Sequence, residues 1–210
     1  MSAKLTPAYR AVMAACSPIV RLWGRLEVSG LEHIPETGPV LLAANHDSYW
    51  DPIAIGIAAR SRRQIHALAK SSLWKTKPVG LVLDGMGQIP IERGKGDAAA
   101  MDRAIEGLRS GICIGVFPEG TRSLGRPLRA RSGIARLAEA VPEATIVSCA
   151  ATGTTDVPAF PRRPHVRVRF FRPAGGGLQP GEAPGDFAAR LVEEIRREAP
   201  PVATGRGARA

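Results

Sequence analysis

The stretch Val40-Leu41-Leu42-Ala43-Ala44-Asn45-His46-Asp47-Ser48-Tyr49-Trp50-Asp51-Pro52 changes character at Asn45. The unbroken apolar run before it reads as a strand covered on both faces, because a strand with one wet face alternates instead. The polar residues that follow supply a turn. Asp51-Pro52 then offers the acid and the restricted φ favoured in a first helical turn. Strand, turn and helix in immediate succession is the opening of an α/β layer fold.

The same pattern recurs along the chain. Residues 112–117 form a second buried strand, which runs into Phe117-Pro118-Glu119-Gly120-Thr121-Arg122-Ser123. Further strands are expected over 64–69, 87–91, 145–151 and 166–171. A helix is expected over 97–110, with Ala98, Met101, Ile105 and Leu108 on one side and Gly111 at its end. Helices are also expected over 133–141 and over 186–198, the latter carrying Phe187, Leu191, Val192 and Ile195. The Gly- and Pro-rich residues 173–184 read as a surface loop, and 200–210 as a disordered tail.

The expected architecture is a single α/β domain over 26–199. Its central sheet is mostly parallel or mixed, flanked by helices and preceded by an amphipathic N-terminal helix within 1–25. In that helix Leu5, Tyr9, Val12, Met13, Cys16, Ile19, Val20 and Trp23 recur at three- and four-residue steps, with a kink expected at Pro18. The stripe suits either a membrane interface or the domain core. The apolar run 11–20, broken by Pro18 and flanked by Arg10 and Arg21, is too short to span a bilayer, which takes roughly 20 apolar residues. The weak positive start and short apolar centre also argue against a cleavable signal peptide.

With 29 Lys and Arg against 19 Asp and Glu, the net charge of +10 draws the protein to polyanions. Aromatic residues make up only 5%, and no zinc-finger spacing is present, so, of an anionic membrane face and nucleic acid, specific nucleic-acid binding is the weaker option, and charge by itself reads first as a solvated basic surface. Cys16, Cys113 and Cys149 are odd in number and lack metal-ligand spacing, which points to free thiols in a reducing compartment.

His46 and Asp51 offer an imidazole and a carboxylate that can act as base and orienter, provided a turn brings them together. On one continuous helix, five residues would set them roughly 140° apart. Glu119, Gly120, Thr121 and Arg122 offer a carboxylate, a close backbone approach and a planar cation suited to an anionic headgroup. Arg93, at the end of Ile89-Pro90-Ile91-Glu92-Arg93, adds another cation. Each motif alone also reads as ordinary structure: Asp51 as a helix cap, Pro-Glu-Gly as a turn, and the arginines as solvated charge.

Taken in order, the block from Asn45 to Asp51, the block ending at Arg93 and Phe117 to Ser123 resemble the glycerolipid acyltransferase family, which includes the 1-acylglycerol-3-phosphate O-acyltransferases. The resemblance covers roughly residues 25–155. It implies transfer of a fatty acyl group from acyl-CoA or acyl-carrier protein to the hydroxyl of a lysophospholipid, with no metal or bound cofactor. By matched position it implies His46 as general base, Asp51 as its orienter, Arg93 and Arg122 as phosphate ligands, and Glu119, Gly120 and Thr121 in the acceptor site. It further implies a peripheral enzyme on the cytoplasmic face of the cell membrane, with no specific nucleic-acid partner. The alternatives are another acceptor, such as an ornithine lipid or glycolipid, and a non-catalytic basic module binding membranes or nucleic acid. Two positions depart from the family pattern: Ser148 stands where a proline is expected, and Ile91 where an aromatic is frequent.

Overall fold

The computed structural model describes residues 5–92, 96–161 and 163–202. Seven strands form one sheet: β1 (Glu27–Ser29), β2 (Val40–Ala44), β3 (Ile65–Lys70), β4 (Ile89–Ile91), β5 (Cys113–Val116), β6 (Thr145–Thr152) and β7 (Arg167–Phe171). Their order is β1-β7-β6-β2-β5-β3-β4. Every pairing is parallel except β6 with β7, so the sheet is mixed, with its five central and distal strands aligned. The expected α/β sheet is therefore present.

The unbroken apolar runs have the predicted cause. Along β2, Val40, Leu42 and Ala44 enter one core while Leu41 and Ala43 enter the other. The first core is capped by α1 (Pro7–Pro18) and α2 (Asp51–Ala59). The second lies under α4 (Ala98–Arg109), α5 (Gly133–Ala140) and α6 (Pro184–Glu198). A further helix, α3 (Lys77–Gly85), follows a 3-10 turn at Ser71–Lys75.

The N-terminal helix is seated on the protein. Tyr9, Met13 and Val20 are buried, and Leu5, Val12 and Cys16 pack partly against the same core. Gly56 of α2 permits this close approach, since a Cβ there would come within 2.8 Å of the Tyr9 hydroxyl. At Pro18 the expected kink takes the form of a change of winding, with Ile19–Trp23 continuing as a π-helical turn. Leu22 remains exposed there. Of the expected tail, only residues 200–202 are described.

At the N-terminal end of the strands, the buried Arg63 fastens three loops. It donates to the carbonyls of Pro35 (3.0 Å), Gly38 (2.9 Å) and Gly111 (2.5 Å). That edge is tied shut, whereas the motif loops gather at the opposite, C-terminal edge.

Candidate active site

Neighbouring strands bring the two motifs together. His46 lies just beyond the end of β2, and Glu119 just beyond β5, its parallel partner. The backbone N–H of Ser123 donates to the His46 carbonyl at 2.8 Å. The His46 N–H donates to Glu119 Oε2 at 3.3 Å. The two motif loops, far apart in sequence, are thus held together through both backbone polar groups of His46.

Asp51 opens α2, where the positive end of the helix dipole favours a carboxylate. The turn before it folds the imidazole back onto that carboxylate, with His46 Nδ1 3.1 Å from Asp51 Oδ2. The same oxygen accepts from the N–H groups of Asp47 (2.6 Å) and Ser48 (2.7 Å). Asp51 Oδ1 accepts from the Thr154 hydroxyl. Because Asp51 Oδ2 already accepts from two backbone N–H groups, the arrangement suits the His46 tautomer in which Nδ1 donates to it and Nε2 is turned toward a ligand. The ring stacks on Phe117, with centroids 4.3 Å apart and planes 23° from parallel. His46 is thereby fixed in orientation.

Glu119 points away from open space. Its Oε1 accepts from Arg196 Nε at 2.9 Å and its Oε2 from Arg196 Nη2 at 2.5 Å. Arg196 Nη1 also donates to both oxygens of Asp47, at 2.8 and 3.0 Å, and to the Ala199 carbonyl at 3.1 Å. Burial alone would lower the Arg196 pKa, but the hydrogen bonds to Asp47 and Glu119 outweigh it and the net shift is upward. The Ser123 hydroxyl closes the network onto Asp47. The expectation that Glu119 meets the acceptor therefore needs restating: its carboxylate is occupied by Arg196, and it supports the loop from behind.

A cavity of about 670 Å³ opens in front of His46. Its wall is mainly apolar, drawn from Leu42, Ala67, Val116 and Ile53 among others, and it runs inward to Tyr9 and Met13 of α1. Gly120, Thr121 and Arg122 line it beside His46, while Glu119 and Asp51 do not. Arg122 stacks over the Tyr49 ring at 3.8 Å and donates to its hydroxyl at 3.0 Å. Gly120 has φ of +72°, a conformation that favours glycine, and a Cβ there would make the Arg131 side chain shift. Arg131 and Lys70 also line the cavity. Arg93 lies outside the described residues.

Comparison with known proteins covers the segment that carries this geometry. The family model described as Acyltransferase matches residues 25–159, which hold both motifs and all the strands from β1 to β6. The chain belongs to the acyltransferase family. Among curated acyltransferases, it is similar to the 1-acyl-sn-glycerol-3-phosphate acyltransferase of Bacillus subtilis, with 29% identity over 115 residues, 55% of this chain and 57% of that protein. It is also similar to the 1-acyl-sn-glycerol-3-phosphate acyltransferase of Borreliella burgdorferi, with 37% identity over 123 residues, 56% of this chain and 48% of that protein. The chain thus spans about half the length of these relatives. In fold it is similar to the crystal structure of the 1-acyl-sn-glycerophosphate (LPA) acyltransferase PlsC from Thermotoga maritima. That likeness has a TM-score of 0.68 and 21% identity, over 91% of this chain and 78% of the other.

Three residues of this candidate site carry no signal in the sequence. Thr154 follows β6 and Arg196 sits in α6, and both are far along the chain from the motif they serve. Arg131 belongs to an arginine-rich loop, with Arg126 and Arg129, whose charge was visible but whose direction was not. No local signal distinguishes Arg196 from the solvated Arg197 beside it.

Proposed function

We propose that this protein transfers a fatty acyl group from a thioester to the free hydroxyl of a lysophospholipid, with 1-acylglycerol-3-phosphate as acceptor and phosphatidic acid as product. The observation that carries this reading is the His46–Asp51 pair, whose imidazole lines a mainly apolar cavity that Arg122, Arg131 and Lys70 line as well. An apolar cavity with cations in its lining suits a molecule with a hydrocarbon tail and a phosphate head. The relatives named above agree in acceptor class.

In this reading His46 Nε2 takes the acceptor's hydroxyl proton as the oxygen attacks the thioester carbonyl. The new C–O ester bond forms, the C–S bond breaks, and the imidazolium returns its proton to the departing thiolate. Asp51 stabilises the transient imidazolium and keeps Nδ1 protonated throughout. Arg122, with Arg93 as a second cation, holds the phosphate, and Gly120 and Thr121 line its approach. Glu119 acts one layer back, holding the His46 N–H. The donor is acyl-CoA or acyl-carrier protein. No helix among the described residues is long and apolar enough to cross a membrane, and we place the protein peripherally on the inner face of the cell membrane.

The test is His46→Ala. This change should remove acyl transfer by 10²-fold or more, about the usual value of general-base help, while leaving vesicle binding as in the wild type. Equal turnover in the variant would remove His46 as the base.

A further inference from the structure

Helix α3 turns its apolar side chains outward. Val79, Leu81 and Val82 are 42%, 74% and 44% exposed, and Leu73 of the preceding turn is exposed to a similar degree. At 100° per residue, Leu81, Pro78, Val82 and Val79 fall in one arc of roughly 160°. Gly80 is buried, and Leu83 faces the cavity. Scattered apolar residues are ordinary on a protein surface, but a continuous ridge marks a place of contact. Lys70, Lys75 and Lys77 are exposed around it. The ridge adjoins the cavity directly, since Lys70, Ser72, Leu73 and Leu83 line the cavity wall.

We propose that α3 and the turn Ser71–Lys75 form the surface that docks this protein on an anionic bilayer. Leu81, Val82 and Val79 enter the acyl boundary, and Lys70, Lys75 and Lys77 meet the headgroups. The choice of a bilayer as occupant rests on the lipid acyltransferase reading, because the ridge borders the entrance through which a lipid would pass. Its chemistry agrees: outward branched aliphatics suit an apolar medium, and the three exposed lysines, against one exposed acid, Asp84, on the same helix, suit anions. The N-terminal helix is the weaker candidate, because Tyr9 and Met13 commit its stripe to the core. A lipid entering beside α3 would reach His46 with its tail kept out of water.

The experiment floats the full-length protein with vesicles of phosphatidylglycerol and phosphatidylethanolamine, and with phosphatidylcholine vesicles as the neutral control. Wild type should bind the anionic vesicles and bind less as salt rises. The double variant Leu81→Asp/Val82→Asp should lose about tenfold or more of that binding. Lys75→Glu/Lys77→Glu should remove most of the salt-sensitive part, and Leu22→Asp should leave binding unchanged. The Leu81→Asp/Val82→Asp protein should still acylate a short-chain lysophosphatidate dissolved as monomer, which shows that it is folded, while failing on the same headgroup embedded in vesicles. If wild type shows no acyl transfer yet the α3 variants still lose vesicle binding, the docking surface stands and the enzymatic reading falls. Wild-type binding in the α3 variants, or loss only in Leu22→Asp, overturns the proposal. Unchanged vesicle binding with turnover lost only when acyl-carrier protein is the donor assigns the ridge to that protein instead, and also overturns it.

Discussion

Arg122 is held in the cavity lining by one neighbour, Tyr49, through both its ring and its hydroxyl. That attachment fixes the direction of the guanidinium while leaving donors for a ligand. A charged hydrogen bond to phosphate is typically worth about 1.5–3 kcal/mol. Arg122→Ala should therefore raise the acceptor KM by about tenfold or more while leaving the donor KM unchanged. Steady-state kinetics with each substrate varied in turn measures this, and an unaltered acceptor KM would remove Arg122 from the phosphate site. His46 and Asp51 were legible in the sequence because strand, turn and helix follow within a few residues, so local rules suffice to fold one onto the other. Thr154, which completes the shell of Asp51, was not legible: its approach depends on β6 pairing with β2, a contact set by the whole sheet.

At the scale of elements, α6 reaches across the second core to place Arg196 between Asp47 and Glu119. Removing the cation would leave two buried carboxylates without their counter-ion, which typically costs about 3–5 kcal/mol. Arg196→Met should lower the melting temperature accordingly. Adding Asp47→Asn and Glu119→Gln should recover much of the loss, because the unpaired charges would then be gone. Calorimetry on the single and triple variants decides; a triple variant no more stable than Arg196→Met would show that packing, and not charge, explains the loss. The elements hardest to read were β1 and α3. Three residues in a polar edge strand, Glu27-Val28-Ser29, carry no usable periodicity. Helix α3 contains Pro78, Gly80 and Gly85 and shows its apolar residues to solvent, so a pattern search aimed at a core passes over it. Ser148, the departure from the family proline, is buried on β6 between Ala43 and Phe171 of the neighbouring strands, its hydroxyl makes no hydrogen bond among the described residues, and nothing in the structure explains the change.

For the whole molecule, the two-sided burial of the central strands accounts for both the continuous apolar runs and the chemistry of the thiols. Cys113 and Cys149 lie on strands within the first core, where burial pushes the Cys113 thiol up to about 12 and raises Cys149 well above its ordinary value, Asp51 adding to the latter. Cys16, on α1, is only partly covered. A thiol reagent at neutral pH should therefore label Cys16 alone in the native protein and all three cysteines after unfolding. Rapid labelling of Cys113 would show that the central sheet opens readily. The global charge is legible as an expected attraction to polyanions, but charge counts carry no position and do not say which surface would serve it.

The central claim is that His46 serves acyl transfer to a lysophospholipid. The most direct measurement incubates wild type and His46→Ala with labelled oleoyl-CoA and a panel of lysophospholipids in mixed micelles, repeats it with acyl-carrier-protein donors, and reads the products by mass spectrometry. The account predicts diacyl product from wild type, greatest with 1-acylglycerol-3-phosphate, and background levels from His46→Ala. Product formed equally by both proteins, or by neither with any donor and acceptor, would contradict it.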